Sequence, residues 1–325
     1  MILYNNVYKL NEIILKMEKN SRIYIAGHKG LVGSAIVRIL RKEGFTNLIL
    51  RTSSELDLRN QKATEEFLEK EKPEYVFDAA AKVGGIRANM TYPAEFVYDN
   101  LQIQNNIIHS SWKNGVKKLL FLGSACIYPR ECTQPIKEEY LLTNILEPTN
   151  EPYAVAKISG IKMCQAYNKQ HGTNFISVMP TNLFGPEDNF DPINSHIVAA
   201  LIRKFHEAKI QNKDEVTLWG TGTPKRDIIY VDDVAQACLF LMQNYNSSDI
   251  INIGTGKDLS VREIAGIVKD VVGFKGKISF DATKPDGMMR RILDISKINA
   301  LGWKAETDIK EGIKKTYDWF LKNEI

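Results

Sequence analysis

Tyr153 and Lys157 stand four residues apart in Tyr153-Ala154-Val155-Ala156-Lys157, a spacing that sets a phenol and an ammonium on one face of a helix. A phenol with a pKa of about 10 exchanges protons poorly at neutral pH, and an adjacent ammonium favours its charged form. Upstream, Gly27-His28-Lys29-Gly30-Leu31-Val32-Gly33 is a glycine turn suited to a dinucleotide pyrophosphate. Between the two lies Gly123-Ser124, whose hydroxyl is a third candidate for the same centre. Together these residues point to hydride transfer between a nicotinamide and a carbonyl. Tyr153 would give a proton to the carbonyl oxygen, Ser124 would hydrogen-bond it, and Lys157 would tune Tyr153 and hold the nicotinamide ribose.

Such a convergence requires a sheet that delivers the glycine turn and Ser124 to one edge. Short apolar runs at 23–26, 48–50, 75–81, 119–123 and 175–179 alternate with helical patterns at 31–43, 61–70 and 94–114. That alternation describes a parallel sheet covered on both faces, so the expected fold is α/β, a doubly wound parallel sheet of the Rossmann type. Ser124 falls at the end of the fourth run, on the edge where ligands bind in such sheets. The glycine turn follows the first run and opens the amphipathic stretch 31–43. Gly27, Lys29, Gly30, Leu31, Val32 and Gly33 would thus face a phosphate with backbone N–H groups and the positive end of a helix dipole.

After Pro180 the pattern loosens into a stretch rich in asparagine and proline. A helical segment at 196–208, a strand-like segment at 216–219 and a Pro/Gly-rich loop follow. Here the chain is expected to build a smaller α/β substrate lobe. The partition is an extension at 1–20, a cofactor domain at 21–181 and 227–253, and a substrate lobe at 182–226 and 254–325. Apolar and charged residues alternate through the first 17 positions, without the apolar core of a signal peptide. Met17 reads as an alternative start, and residues 1–16 as dispensable. No apolar run approaches the roughly 18 residues of a membrane span.

Cofactor choice is read after the second strand, where NAD binders usually offer Asp or Glu to the ribose 2′-OH. Here the sequence is Leu50-Arg51-Thr52-Ser53-Ser54, with no carboxylate before Glu55. Arg51 with Lys29 would neutralise a 2′-phosphate, which favours NADPH/NADP+; Arg51 also reads as a solvated surface charge. The 325-residue chain is 44% hydrophobic and 25% charged, with a net charge of +4 and no long basic block. Nucleic-acid binding is therefore unmotivated, and a phosphorylated or nucleotide-linked substrate fits better. Cys126, Cys132, Cys164 and Cys238 show no paired spacing and no metal-finger cluster, which favours a reducing cytoplasm and no structural metal.

The glycine turn, the serine and Tyr-x-x-x-Lys resemble the extended short-chain dehydrogenase/reductases, which include nucleotide-sugar epimerases and dehydratases. Longer stretches narrow the resemblance. They are Ala79-Ala80-Ala81-Lys82-Val83-Gly84-Gly85-Ile86, Gly123-Ser124-Ala125-Cys126-Ile127-Tyr128-Pro129, Glu147-Pro148-Thr149-Asn150-Glu151-Pro152-Tyr153, Met179-Pro180-Thr181-Asn182-Leu183-Phe184-Gly185-Pro186, Asn194-Ser195-His196 and Trp219-Gly220-Thr221-Gly222-Thr223-Pro224-Lys225-Arg226. They are similar to the branch that performs 3,5-epimerisation and 4-reduction of a GDP-linked 4-keto-6-deoxy sugar, from about Ser21 onward.

The resemblance implies roles for residues that are otherwise mute. Cys126 and His196 would carry out epimerisation: a 4-keto group acidifies the C3 and C5 protons, and a thiolate and an imidazole on opposite faces would invert those carbons. Ala80, Pro180, Asn182, Leu183 and His196 would lie near the cofactor. Asn182, Lys204, Trp219, Arg226 and Arg291 would hold the GDP sugar, Arg226 at the pyrophosphate. Lys204 stands where the family usually has arginine, and Met288-Met289 replaces the commoner Thr-Pro in Pro285-Asp286-Gly287-Met288-Met289-Arg290-Arg291. That departure keeps a second reading open, a reductase acting only at C4 of a modified sugar such as a heptose. A non-catalytic dinucleotide sensor is disfavoured by the complete Ser124/Tyr153/Lys157 set. A homodimer packed through the helices at 94–114 and 153–169 is also implied.

Overall fold

The computed structural model describes residues 17–192, 195–284 and 286–325. The expected extension at 1–16 therefore lies outside the described residues, as do Asn194 and Pro285. Residues 17–20 belong to the fold: the Met17 side chain is buried in the core, and the Thr46 N–H donates to the Lys19 carbonyl.

The first half runs β1 (Ile23–Ala26), α1 (Leu31–Lys42), β2 (Leu48–Ile49), α2 (Gln61–Glu71), β3 (Tyr75–Asp78), α3 (Ile86–Thr91), α4 (Pro93–Lys113), β4 (Lys118–Leu122), α5 (Glu151–His171) and β5 (Phe175–Pro180). Every residue of β1, β3, β4 and β5 is buried, as continuous apolar runs covered on both faces must be. Among the polar residues in these strands, Lys118 donates to the Leu241, Met242 and Tyr245 carbonyls, so it ties the sheet to a helix C-terminus. The run expected at 75–81 leaves the sheet at Asp78, and Ala79 instead packs over the glycine turn. Pro93 opens α4, where its missing N–H is harmless.

The second half runs β6 (Asn182–Phe184), α6 (Ile197–Ile210), β7 (Glu215–Trp219), β8 (Lys225–Arg226), β9 (Ile228–Tyr230), α7 (Val231–Asn244), β10 (Ile251–Ile253), β11 (Leu259–Ser260), α8 (Val261–Val272), β12 (Lys277–Asp281), β13 (Arg290–Arg291), α9 (Ser296–Ala300) and α10 (Ile309–Asn323). Six strands form one parallel sheet in the order β10-β5-β4-β3-β1-β2. The order reverses at β1 and β3, which opens a crevice beyond their carboxyl ends. One sheet face is covered by α1 and α7, the other by α4 and α5. A third core lies in the lobe, where α6, α8 and α10 pack with β7, β9 and β12. Leu293, Ile298 and Trp303, grouped with the lobe on sequence, pack instead in the two cores that flank the sheet.

Candidate active site

The glycine turn is built for close approach. Gly27 has φ +75°, and a Cβ there would lie 2.7 Å from the Ala79 carbonyl oxygen; one on Gly33 would lie 2.1 Å from the Gly27 oxygen. Only glycine fits either place. Gly30 is the N-cap of α1 and offers no capping side chain, and no acidic residue occupies the first turn. The helix start is thus left free for an anion. Lys29, Leu31, Val32, Arg51 and Ala80 line the same wall. The Glu55 carboxylate is occupied by its own loop, taking the Thr52 N–H at 2.7 Å and hydroxyl at 2.8 Å. Arg51 is not a free charge: it donates to Glu71 at 2.7 Å and to the Leu50 carbonyl, while still facing the cleft.

Across the cleft, β4 delivers Gly123 and Ser124, and α5 delivers Tyr153 and Lys157 from consecutive turns of one face. Ser124 caps a short 3-10 turn at Ala125–Ile127, its Oγ accepting the Cys126 N–H at 3.3 Å. The Lys157 ammonium is buried and donates to the Leu122 carbonyl at 2.8 Å. It sits 5.9 Å from the Tyr153 ring centroid. Burial, not Lys157, sets the direction of the shift of the phenol. Removal from water pushes Tyr153 up, a neighbouring Cys126 charge would push it further, and the Ser124 hydroxyl acts against the rise. The phenol therefore keeps its proton, the form a general acid needs.

Cys126 is buried within that 3-10 turn and also lines the cleft. Burial pushes its thiol up, and Ser124, Arg291 and Lys157 work in the opposite direction. His196 is the N-cap residue of α6, with Nδ1 3.5 Å from the Asp188 carboxylate. That contact outweighs desolvation and raises the imidazole. Asp188 had no signal in the sequence, because a loop brings it to His196.

The lobe closes the far end. Asn182 lines the wall with Pro180 and Leu183, and its amide donates to the Asp227 carbonyl at 3.1 Å. Trp219 presents its indole to solvent at the rim, 70% exposed. Arg226 and Arg291 are register partners on β8 and β13, so two guanidinium groups stand side by side. Burial lowers both, and Nε and Nη2 of Arg291 are buried without a partner among the described residues. A pair of desolvated like charges with unused donors is a place for a polyanion. Met288 and Met289 line this end as well. Lys204 does not join it. Leu201, Ile202 and Phe205 turn that helix into the lobe core, which leaves Lys204 exposed and away from the cleft lining.

The NAD dependent epimerase/dehydratase family matches residues 23–254. GDP-L-fucose synthase 1 of Arabidopsis thaliana is 57% identical over 313 residues, covering 96% of this chain and 97% of that protein. Among solved structures, a GDP-6-OMe-4-keto-L-xylo-heptose reductase from C. jejuni superposes with a TM-score of 0.90 at 43% identity, covering 94% of this chain and 99% of that one. A GDP-L-fucose synthetase from Naegleria fowleri bound to NADP gives a TM-score of 0.88 at 31% identity, with 95% and 97% covered.

Proposed function

The chain belongs to the NAD dependent epimerase/dehydratase family, and from that premise we propose that it is an NADPH-dependent GDP-L-fucose synthase. Its reaction is 3,5-epimerisation and 4-reduction of a GDP-4-keto-6-deoxy sugar. The observation that carries this reading is one cleft that contains the glycine turn, Ser124, Tyr153, Lys157, Cys126, His196 and the Arg226/Arg291 pair.

NADPH supplies the hydride. The Gly27–Gly33 turn and the open start of α1 hold its pyrophosphate, Lys29 and Arg51 its 2′-phosphate, and Lys157 its nicotinamide ribose. Arg226 and Arg291 take the GDP pyrophosphate beside the Trp219 rim. Cys126 removes a proton from C3 or C5 as thiolate, the form that Arg291 and Lys157 favour against burial. His196, raised by Asp188, carries a proton to return to the opposite face. Ser124 and Tyr153 stabilise the enolate oxygen, and Tyr153 then protonates the C4 oxygen as hydride arrives. The sheet domain is the cofactor half and the lobe is the GDP-sugar half. We assign the enzyme to the cytoplasm on its four unpaired cysteines, and a homodimer on the exposed apolar residues of α4 and α5.

Deuterium exchange tests the bifunctional assignment against a reductase acting only at C4. In D₂O without NADPH, wild-type enzyme should exchange the C3 and C5 protons of GDP-4-keto-6-deoxymannose, read by NMR. Cys126→Ser should abolish exchange, since a hydroxyl forms little oxyanion at neutral pH, yet still reduce the ketone. Reduction without exchange in the wild type would leave Cys126 and His196 as pocket lining and favour the C4-only reductase.

A further inference from the structure

β3 ends in a carboxylate that no described group satisfies. Asp78 is buried beneath the cleft floor, and neither oxygen has a hydrogen-bond partner among the described residues. A buried charge is stable only when paired, so its surroundings must hold a cation or keep the acid neutral. Strand register identifies the cation. Asp78 is the direct neighbour of Ala26 on β1 and of Phe121 on β4. Register neighbours in a parallel sheet project to one face, and here Ala26 and Phe121 face α4 and α5. The Lys157 ammonium lies over that same Phe121 ring, 4.7 Å from its centroid. Carboxylate and ammonium therefore share one pocket, with the small Ala26 side chain on its other flank.

The remaining titratable groups that face Asp78 are Tyr24 on β1 and Cys164 on α5, both held neutral because burial raises them. Lys157 in turn faces Asp78, Cys126 and the Tyr153 ring. Burial pushes Asp78 up to about 6, with the Lys157 charge acting against the rise. Burial lowers Lys157, and Asp78 is the first of the charges that act against that fall.

We infer that Asp78 is the counter-ion of Lys157, a positioning residue that keeps the ammonium charged from below while Lys157 serves Tyr153 and the cofactor above. The inference rests on Lys157 as a member of the reductase set. Its sign is definite: Asp78 carries its charge above a pH of about 6, and its removal lets Lys157 lose its proton at lower pH.

The first test is the pH dependence of kcat/KM for NADPH-driven reduction of GDP-4-keto-6-deoxymannose. Because burial raises Tyr153 and lowers Lys157, Lys157 loses its proton before Tyr153 as the pH rises. In Asp78→Asn the alkaline limb should move down by about one pH unit or more. A limb that superimposes on the wild type overturns the inference, since a merely structural role lowers the amount of active enzyme without moving a limb.

The second test needs no turnover. In thermal melts at pH 7, Lys157→Met leaves the Asp78 charge alone and should lower Tm, and adding Asp78→Asn should raise it again. Strictly additive Tm changes overturn the pair whatever the activity. A wild type that never oxidises NADPH with this sugar would defeat the reductase reading instead, while the melts still judge the ion pair.

Discussion

Tyr153 and His196 both need to hold a proton, and different surroundings keep it on each. Tyr153 is kept protonated because water is removed from the phenol, while His196 is raised because the Asp188 carboxylate favours the imidazolium. Tyr153→Phe should therefore lower the reduction rate by about 10²–10⁴ while NADPH affinity stays near wild type, because the lost hydroxyl acts on the sugar. Stopped-flow rates and a fluorescence titration of NADPH check both halves; a variant within a few fold of wild type refutes the role of Tyr153. Cys126 occupies the less comfortable position, since burial opposes the thiolate it needs and Arg291 is the charged neighbour that most opposes burial.

At the scale of elements, the start of α1 and the loop after β2 decide the cofactor together. Neither Gly30 nor an acidic first turn occupies the α1 N–H groups, and Glu55 is consumed by Thr52, so no carboxylate is free there for a ribose 2′-OH. Arg51 keeps one face toward the cleft while Glu71 holds the guanidinium in place. We expect kcat/KM to favour NADPH over NADH, and Arg51→Ala to shrink that preference by roughly 10-fold or more, the worth of one charge-assisted hydrogen bond. Steady-state kinetics with both cofactors decides it, and equal use by the wild type counts against the loop reading. The β8–β13 pairing acts at the same scale: one register brings Arg226 and Arg291 together, and a slip by one residue would turn them apart.

Over the whole molecule, two α/β units face each other across one cleft, and α4 and α5 present apolar side chains on the outside of the sheet domain. Tyr98 is 61% exposed on α4 and Val155 is 41% exposed on α5. Both positions lie on the helices through which the proposed homodimer would pack. Light scattering behind size exclusion should give twice the chain mass for the wild type and the single-chain mass for the Tyr98→Lys/Val155→Glu pair. A monomeric wild type, or a double variant that stays dimeric, overturns the expected packing. No described helix is long and apolar enough to cross a membrane.

The sequence by itself determined whatever depends on local spacing. Apolar runs marked the strands because a doubly covered sheet buries every residue, Gly27 and Gly33 marked the turn because no Cβ fits, and Tyr153 and Lys157 share a face because the helical period is 3.6 residues. The α/β fold followed from those signals, and the preference for NADPH from Arg51 and the missing carboxylate after the second strand. The tertiary structure alone decided which distant groups meet. His196 with Asp188, Arg226 with Arg291 and Arg51 with Glu71 are set by loop paths, strand register and helix packing, which have no period in the chain. The same packing turned Lys204 away from the cleft, because the apolar residues beside it claim the inner face of α6 for the lobe core. Local periodicity fixes where a side chain points along its own element; only burial against other elements fixes what it touches.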